Sequence, residues 1–133
     1  MRKYFFRGKR KDNGEWVIGK GIDTNFGEAY ILYGWKDASV GLFNVDDIEV
    51  IPETIGQYTG VTDKNGKKIF EGDIVRYNGE KHIVVFETRG ETGYFGIKID
   101  HIETWGFCLS VPAKLMEVIG NIHDNPELTE GLL

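Results

Sequence analysis

A mainly β fold is what this 133-residue sequence predicts, and three observations predict it. Apolar and polar residues alternate at a spacing of two through most of the chain, while helical periodicity is nearly absent. Aromatics make up 13% and Gly 18 stands against Pro 3, the balance that short strands joined by tight turns require. Turn signals recur, among them Asn13-Gly14 and Asn65-Gly66. The expected architecture is an N-terminal antiparallel β lobe followed by a C-terminal SH3-like small β-barrel with a short C-terminal helix.

The elements follow in order. Lys3 to Lys9 and Glu15 to Ile22 pair as a hairpin turned by Arg10-Lys11-Asp12-Asn13-Gly14, where Asn-Gly supplies positive φ. Glu28 to Tyr33 and Val40 to Val45 are strand-like, separated by a loop around Gly34 and Asp37. Asp46-Asp47 leads into the short apolar run Ile48 to Ile51, which Pro52 ends. Pro52 and Gly56 mark a boundary, giving lobes 1–54 and 55–133, with one continuous domain 1–133 as the alternative.

Beyond it, Gln57 to Gly60 enters a second hairpin turned at Asp63-Lys64-Asn65-Gly66. Phe70-Glu71-Gly72-Asp73-Ile74-Val75 places a Gly-Asp bend before an Ile-Val strand, as suits the first strand of a small barrel. Lys81 to Thr88, Gly93 to Ile99, Thr104 to Val111 and Leu115 to Ile122 supply the remaining strands. In the tail, Asn125 is the expected N-cap, Pro126 the first helical residue, and Glu127 suits the dipole.

Composition bounds the class. Hydrophobic residues at 41% and charged residues at 28% support a packed core rather than disorder. The single cysteine, Cys108, excludes an intramolecular disulfide framework and a cysteine zinc site. Its neighbours Trp105, Phe107 and Leu109 make it a core thiol. No apolar run has the length of a membrane span and the N-terminus lacks a signal-peptide core, so a reducing cytoplasm and no membrane partner are expected.

The net charge of -5 is unevenly spread. Residues 1–11 hold six of the 16 Lys and Arg and no acid, leaving 10 basic against 21 acidic residues, a balance of -11, in the rest of the chain.

Catalytic signatures are missing. His82, His101 and His123 fall on separate segments without ligand spacing, and Asp63 to Gly66 lacks the remaining oxygens of a calcium loop. Asp46 and Asp47 are adjacent, so a strand would point them to opposite faces. There is no G-x-S-x-G elbow and no P-loop. The reading is of a protein that is not an enzyme, with no catalytic, cofactor or metal site.

Binding candidates are the cations Arg2, Lys3, Arg7, Lys9, Arg10 and Lys11, interleaved with Tyr4-Phe5-Phe6, and Trp35 beside a turn. Such cations can displace counterions from phosphates and such rings can stack on bases. Against this, Tyr4 and Phe6 would share a strand face and enter the core. The cations would then protect a strand edge or pair with the acidic remainder. Trp35 is a candidate contact for a protein partner, although burial is the favoured reading, and Glu87 to Gly93 forms a polar loop able to present contacts.

Two longer stretches carry a family likeness. One runs from Ile55-Gly56-Gln57-Tyr58-Thr59-Gly60 through Asp63-Lys64-Asn65-Gly66-Lys67 to Phe70-Glu71-Gly72-Asp73-Ile74-Val75; the other is Val118-Ile119-Gly120-Asn121-Ile122-His123-Asp124-Asn125-Pro126-Glu127-Leu128. With Phe6-Arg7, Gly14, Trp16 and Gly19 near the start, they resemble the YopX family. His123 stands where that family usually places an aromatic.

The resemblance implies a β-rich fold and a phage or prophage of a Gram-positive bacterium as source, and it implies no activity. The expected function is therefore a non-enzymatic accessory protein that binds an unknown host or phage protein or a second copy of itself. The alternative is a nucleic-acid-binding protein using the basic N-terminal strand and the barrel surface.

Overall fold

The structure, a computed structural model, describes residues 4–35, 45–89, 92–98, 104–105 and 113–132. The chain divides into two compact units, residues 1–57 and 58–133.

In the first unit, β1 (Phe6–Lys9) and β2 (Trp16–Gly19) form an antiparallel hairpin, with Gly14 at φ 73° in its turn. On its other side β1 pairs through Phe6 and Arg7 with Gln57 and Gly56 at the start of β6 (Gly56–Thr62). The strand is therefore flanked on both sides, and the expected role of its cations in guarding a sheet edge does not apply.

A second sheet holds β3 (Gly21–Asn25), β4 (Glu28–Trp35) and β5 (Val45–Val50) in that order, all antiparallel. The stretch expected as one strand, Glu15 to Ile22, is thus two strands with different partners. The break lies at Gly19, where a Cβ would collide with the backbone carbonyl oxygen of Leu32. The next amide, Lys20 N–H, donates to that same oxygen at 2.9 Å. Of the expected strand Val40 to Val45, all but Val45 lies outside the described residues.

Ala29, Ile31 and Val50 form the core of this unit, with Phe6, Val17, Ile48 and Ile55 packed against them. Tyr4 departs from the expectation that it would join Phe6 in the core: it is 53% exposed.

In the second unit, Tyr58 and Thr62 of β6 pair with β7 (Lys68–Phe70). A five-stranded antiparallel sheet follows, built from β8 (Asp73–Tyr77), β9 (Glu80–Arg89), β10 (Thr92–Lys98), β11 (Thr104–Trp105) and β12 (Glu117–Asn121). Its spatial order is β11-β10-β9-β8-β12. Among the described residues the strands do not close, which corrects the expected SH3-like barrel. β6 pairs with β7, and neither joins β11 to β12 among the described residues.

The core of this unit is Ile69, Val75, Val84, Ile97, Ala113 and Met116, flanked by Val61, Tyr77, Phe95 and Val118. Each fully buried aliphatic side chain stabilises the unit by about 1.5–3 kcal/mol relative to exposure.

The expected C-terminal helix is a single 3₁₀ turn, Pro126–Thr129. Pro126 opens it as the sequence indicates, but Asn125 does not cap it. The Asn125 side-chain oxygen instead accepts from the Asn121 amide at 3.2 Å, and the Thr129 hydroxyl donates to the Pro126 carbonyl at 2.6 Å. These local side-chain bonds compete with helix propagation, and Gly131 at φ 81° turns the chain away. No helix among the described residues is long and apolar enough to cross a membrane.

Candidate functional site

Strand alternation decides what the basic segment can offer. Arg2 and Lys3 lie outside the described residues. On β1, Phe6 packs on the core, and a Cβ on Gly8 would stand 3.0 Å from Val50. Arg7 and Lys9 therefore occupy the opposite face.

There they share Trp16, the register partner of Lys9. The Arg7 guanidinium carbon lies 4.6 Å from the ring centroid and the Lys9 ammonium 5.8 Å. Arg7 is only 9% exposed, so its charge is directed at the indole face rather than at solvent.

The next two cations are engaged with acids. Arg10 grips Asp12 through two hydrogen bonds, Nε to Oδ1 at 3.0 Å and a terminal nitrogen to Oδ2 at 2.8 Å. That contact raises the Arg10 pKa and lowers that of the Asp12 carboxyl. The Lys11 ammonium lies 3.2 Å from the Glu49 carboxylate. Trp35 sits on β4 opposite Val45, and its side chain lies outside the described set.

The face of the β3–β4–β5 sheet turned away from the core is acidic. Register sets Asp23, Tyr30 and Glu49 in one row, with Glu28 two residues from Tyr30 and Asp47 opposite Leu32. The Tyr30 hydroxyl donates to Glu28 at 2.6 Å. That bond, helped by partial desolvation and by the charges of Glu28, Glu49 and Asp47, pushes the hydroxyl pKa up to about 12.

At the end of the same hairpin is the least expected side chain. Asn25 and Glu28 pair across a two-residue turn whose central residues, Phe26 and Gly27, have φ 50° and 81°. The β8–β9 turn is built the same way, with Asn78 and Gly79 at φ 52° and 78° between paired Tyr77 and Glu80. Two central residues at positive φ favour Asn-Gly, as the second turn has. The first carries phenylalanine in the left-handed region, and that ring is 97% exposed. Reading the sequence passed over Phe26, because residues 23–27 fell between two recognised strands. The signal was present as a two-residue gap ending in Gly27.

In the second unit, His82 is buried, with Nδ1 3.1 Å from the Lys98 carbonyl oxygen and Nε2 3.8 Å from the Glu80 carboxylate. His101 and Cys108 lie outside the described residues. Among the described residues no group of three or more His, Cys, Asp or Glu is placed to hold a metal ion.

The family model described as YopX protein matches residues 5–130. The chain belongs to the YopX family. A crystal structure of protein EF1440 from Enterococcus faecalis is similar at 24% identity and a TM-score of 0.52, covering 96% of this chain and 99% of that one. At this identity the likeness is one of fold. None of the curated proteins compared with the chain matches it.

The YopX-like stretches are now explicable as structure. Asp63 Oδ1 accepts from the amides of Asn65 at 2.8 Å and Lys67 at 2.9 Å, and Oδ2 accepts from Val118 at 2.9 Å. One carboxylate thus shapes the turn and ties it to β12. Gly72, at φ 91°, donates to Val84 and accepts from Ile122. Asn121 Oδ1 accepts from the amides of His123 and Asp124, closing the bend after β12. A Cβ on Gly120 would come within 2.5 Å of Asn125 Oδ1, so the YopX Gly-Asn pair packs only without a side chain there.

Proposed function

We propose that this YopX chain is a non-enzymatic phage or prophage accessory protein that acts by binding another protein, with the β3–β4 hairpin tip as its anchor. Phe26 carries the reading. A fully exposed aromatic ring gains nothing from folding, and its left-handed backbone costs about 1 kcal/mol where Asn or Gly would cost less. Insertion into a partner's pocket gives such a residue a use, since buried aromatic anchors dominate interface energetics.

The partner in this reading is a host or phage protein met in the host cytoplasm, with a second copy of the chain as the other candidate. The phage setting rests on the family resemblance. Nucleic-acid binding draws on less support, because Arg7 is buried against Trp16 while Arg10 and Lys11 are paired with acids.

The test is affinity capture from a prophage-carrying host lysate, with and without nuclease, using the wild-type chain and Phe26→Asn. A protein held by the wild type after nuclease, and lost by a stably folded Phe26→Asn variant, is the expected result. Equal capture by both proteins would overturn the anchor. Capture that collapses with nuclease would favour nucleic acid instead.

A further inference from the structure

We propose a second binding site, in the second unit and independent of Phe26, that takes the C-terminal carboxylate of a peptide ending in an apolar residue. The site is a groove of about 520 Å³ where the β8–β9 hairpin meets the end of the chain. Its cationic wall is Arg76 and Lys81, and its apolar wall is Leu128 and Leu132. Glu80, His82 and the turn residue Gly79 complete it; apart from its chain neighbours, no described atom lies within 4 Å of where a Cβ on Gly79 would stand.

The placement of the cations is the unusual feature. Arg76 and Lys81 are direct register partners across β8 and β9. Like charges facing one another across a strand pair destabilise the sheet unless an anion lies between them. Neither side chain makes an ion pair among the described residues: neither Glu117 nor Glu80, the acids beside them, is paired with Arg76 or Lys81. Glu117, the register partner of Arg76 on β12, has its carboxylate 3.7 Å from the Lys64 ammonium. The Glu80 carboxylate points to His82 at 3.8 Å and is 78% exposed.

An arginine fork and an ammonium together suit a carboxylate, which the guanidinium can take in bidentate fashion. The two leucines beside them select what is attached to it. A peptide C-terminus with an aliphatic or aromatic last side chain presents both groups at adjacent atoms. Inorganic phosphate would satisfy the cations and leave the leucines unused. The volume is in the range of pockets that enclose small ligands, roughly 300–1,000 Å³.

The test is an amide-resolved NMR titration of the full chain with three probes: acetyl-Ala-Ala-Leu as the free acid, the same peptide as its C-terminal amide, and inorganic phosphate. Expected are shifts at residues 76–82 and 128–132 with the acid, and at least tenfold weaker binding of the amide and of phosphate. Arg76→Gln and Lys81→Gln should each weaken the acid at least tenfold without lowering the melting temperature, because each removes a like-charge contact. Leu132→Ser should weaken the acid peptide and leave any phosphate response unchanged. Equal binding of acid and amide would overturn the carboxylate assignment. Phosphate binding as tight as the peptide would reduce the site to a simple anion contact and overturn the peptide reading. No shift with any probe would overturn the site itself.

Discussion

Asp63 is a buried carboxylate that accepts three backbone N–H bonds. Burial alone would raise its pKa, but the donors at Val118, Lys67 and Asn65 outweigh that and hold it below the ordinary value of 3.8. A carboxyl whose folded pKa is depressed contributes stability that is fully present above the unfolded pKa and lost as pH falls through the folded one. Denaturant unfolding of the wild type should therefore give constant stability down to about pH 4 and a decline below it. Asp63→Asn should flatten that decline and cost about 2–3 kcal/mol at neutral pH, since a buried amide loses its acceptor. An unchanged acid limb in the variant would remove Asp63 as its cause. At Phe26 the sign reverses: Phe26→Asn should raise stability by about 1 kcal/mol in the same measurement, because Asn tolerates the left-handed region. A loss of stability there would mean that the ring is supported by contacts within the fold.

Among the elements, two glycines act through partners remote in sequence or beyond the strand. Gly19→Ala would drive a Cβ against the Leu32 carbonyl, which is backbone and cannot turn aside. The expected cost is about 2–3 kcal/mol, with hydrogen exchange showing lost protection at the junction of β2 and β3. Gly120→Ala meets a side chain instead, the Asn125 amide oxygen. Combined with Asn125→Ala it should be less damaging than the two single costs added together, by about 1 kcal/mol in a double-mutant cycle. Strict additivity would show that the two positions do not share a contact. These cases show why strands were legible and their ends were not. The alternation of Glu15 to Ile22 is a local property, so the extended conformation was readable. The bend at Gly19 exists because Leu32 arrives there from another strand, which no local window contains.

For the molecule as a whole, each unit has its own core, so core truncations should be read within the unit that carries them. Ile31→Ala in the first unit and Ile69→Ala in the second are each expected to cost about 2–5 kcal/mol, since both side chains are fully buried. Amide exchange of the strands around each site should accelerate accordingly; protection unchanged around Ile31 would mean that the Ala29–Ile31–Val50 cluster is not what holds the first unit together. By itself the sequence determined the β class, the turns at Gly14, Gly66 and Gly72, and membership of the YopX family. All of these are written in residue order, in a period of two, in backbone freedom and in long contiguous signatures. Only the tertiary structure decided that β1 is flanked on both sides, that the five-stranded sheet is open among its described residues, and that the tail stops after one 3₁₀ turn. It also decided that Arg7 faces an indole while Phe26 faces water. Those outcomes depend on which strands pair and what is left to cover each face, and pairing energy comes from residues far apart in the chain.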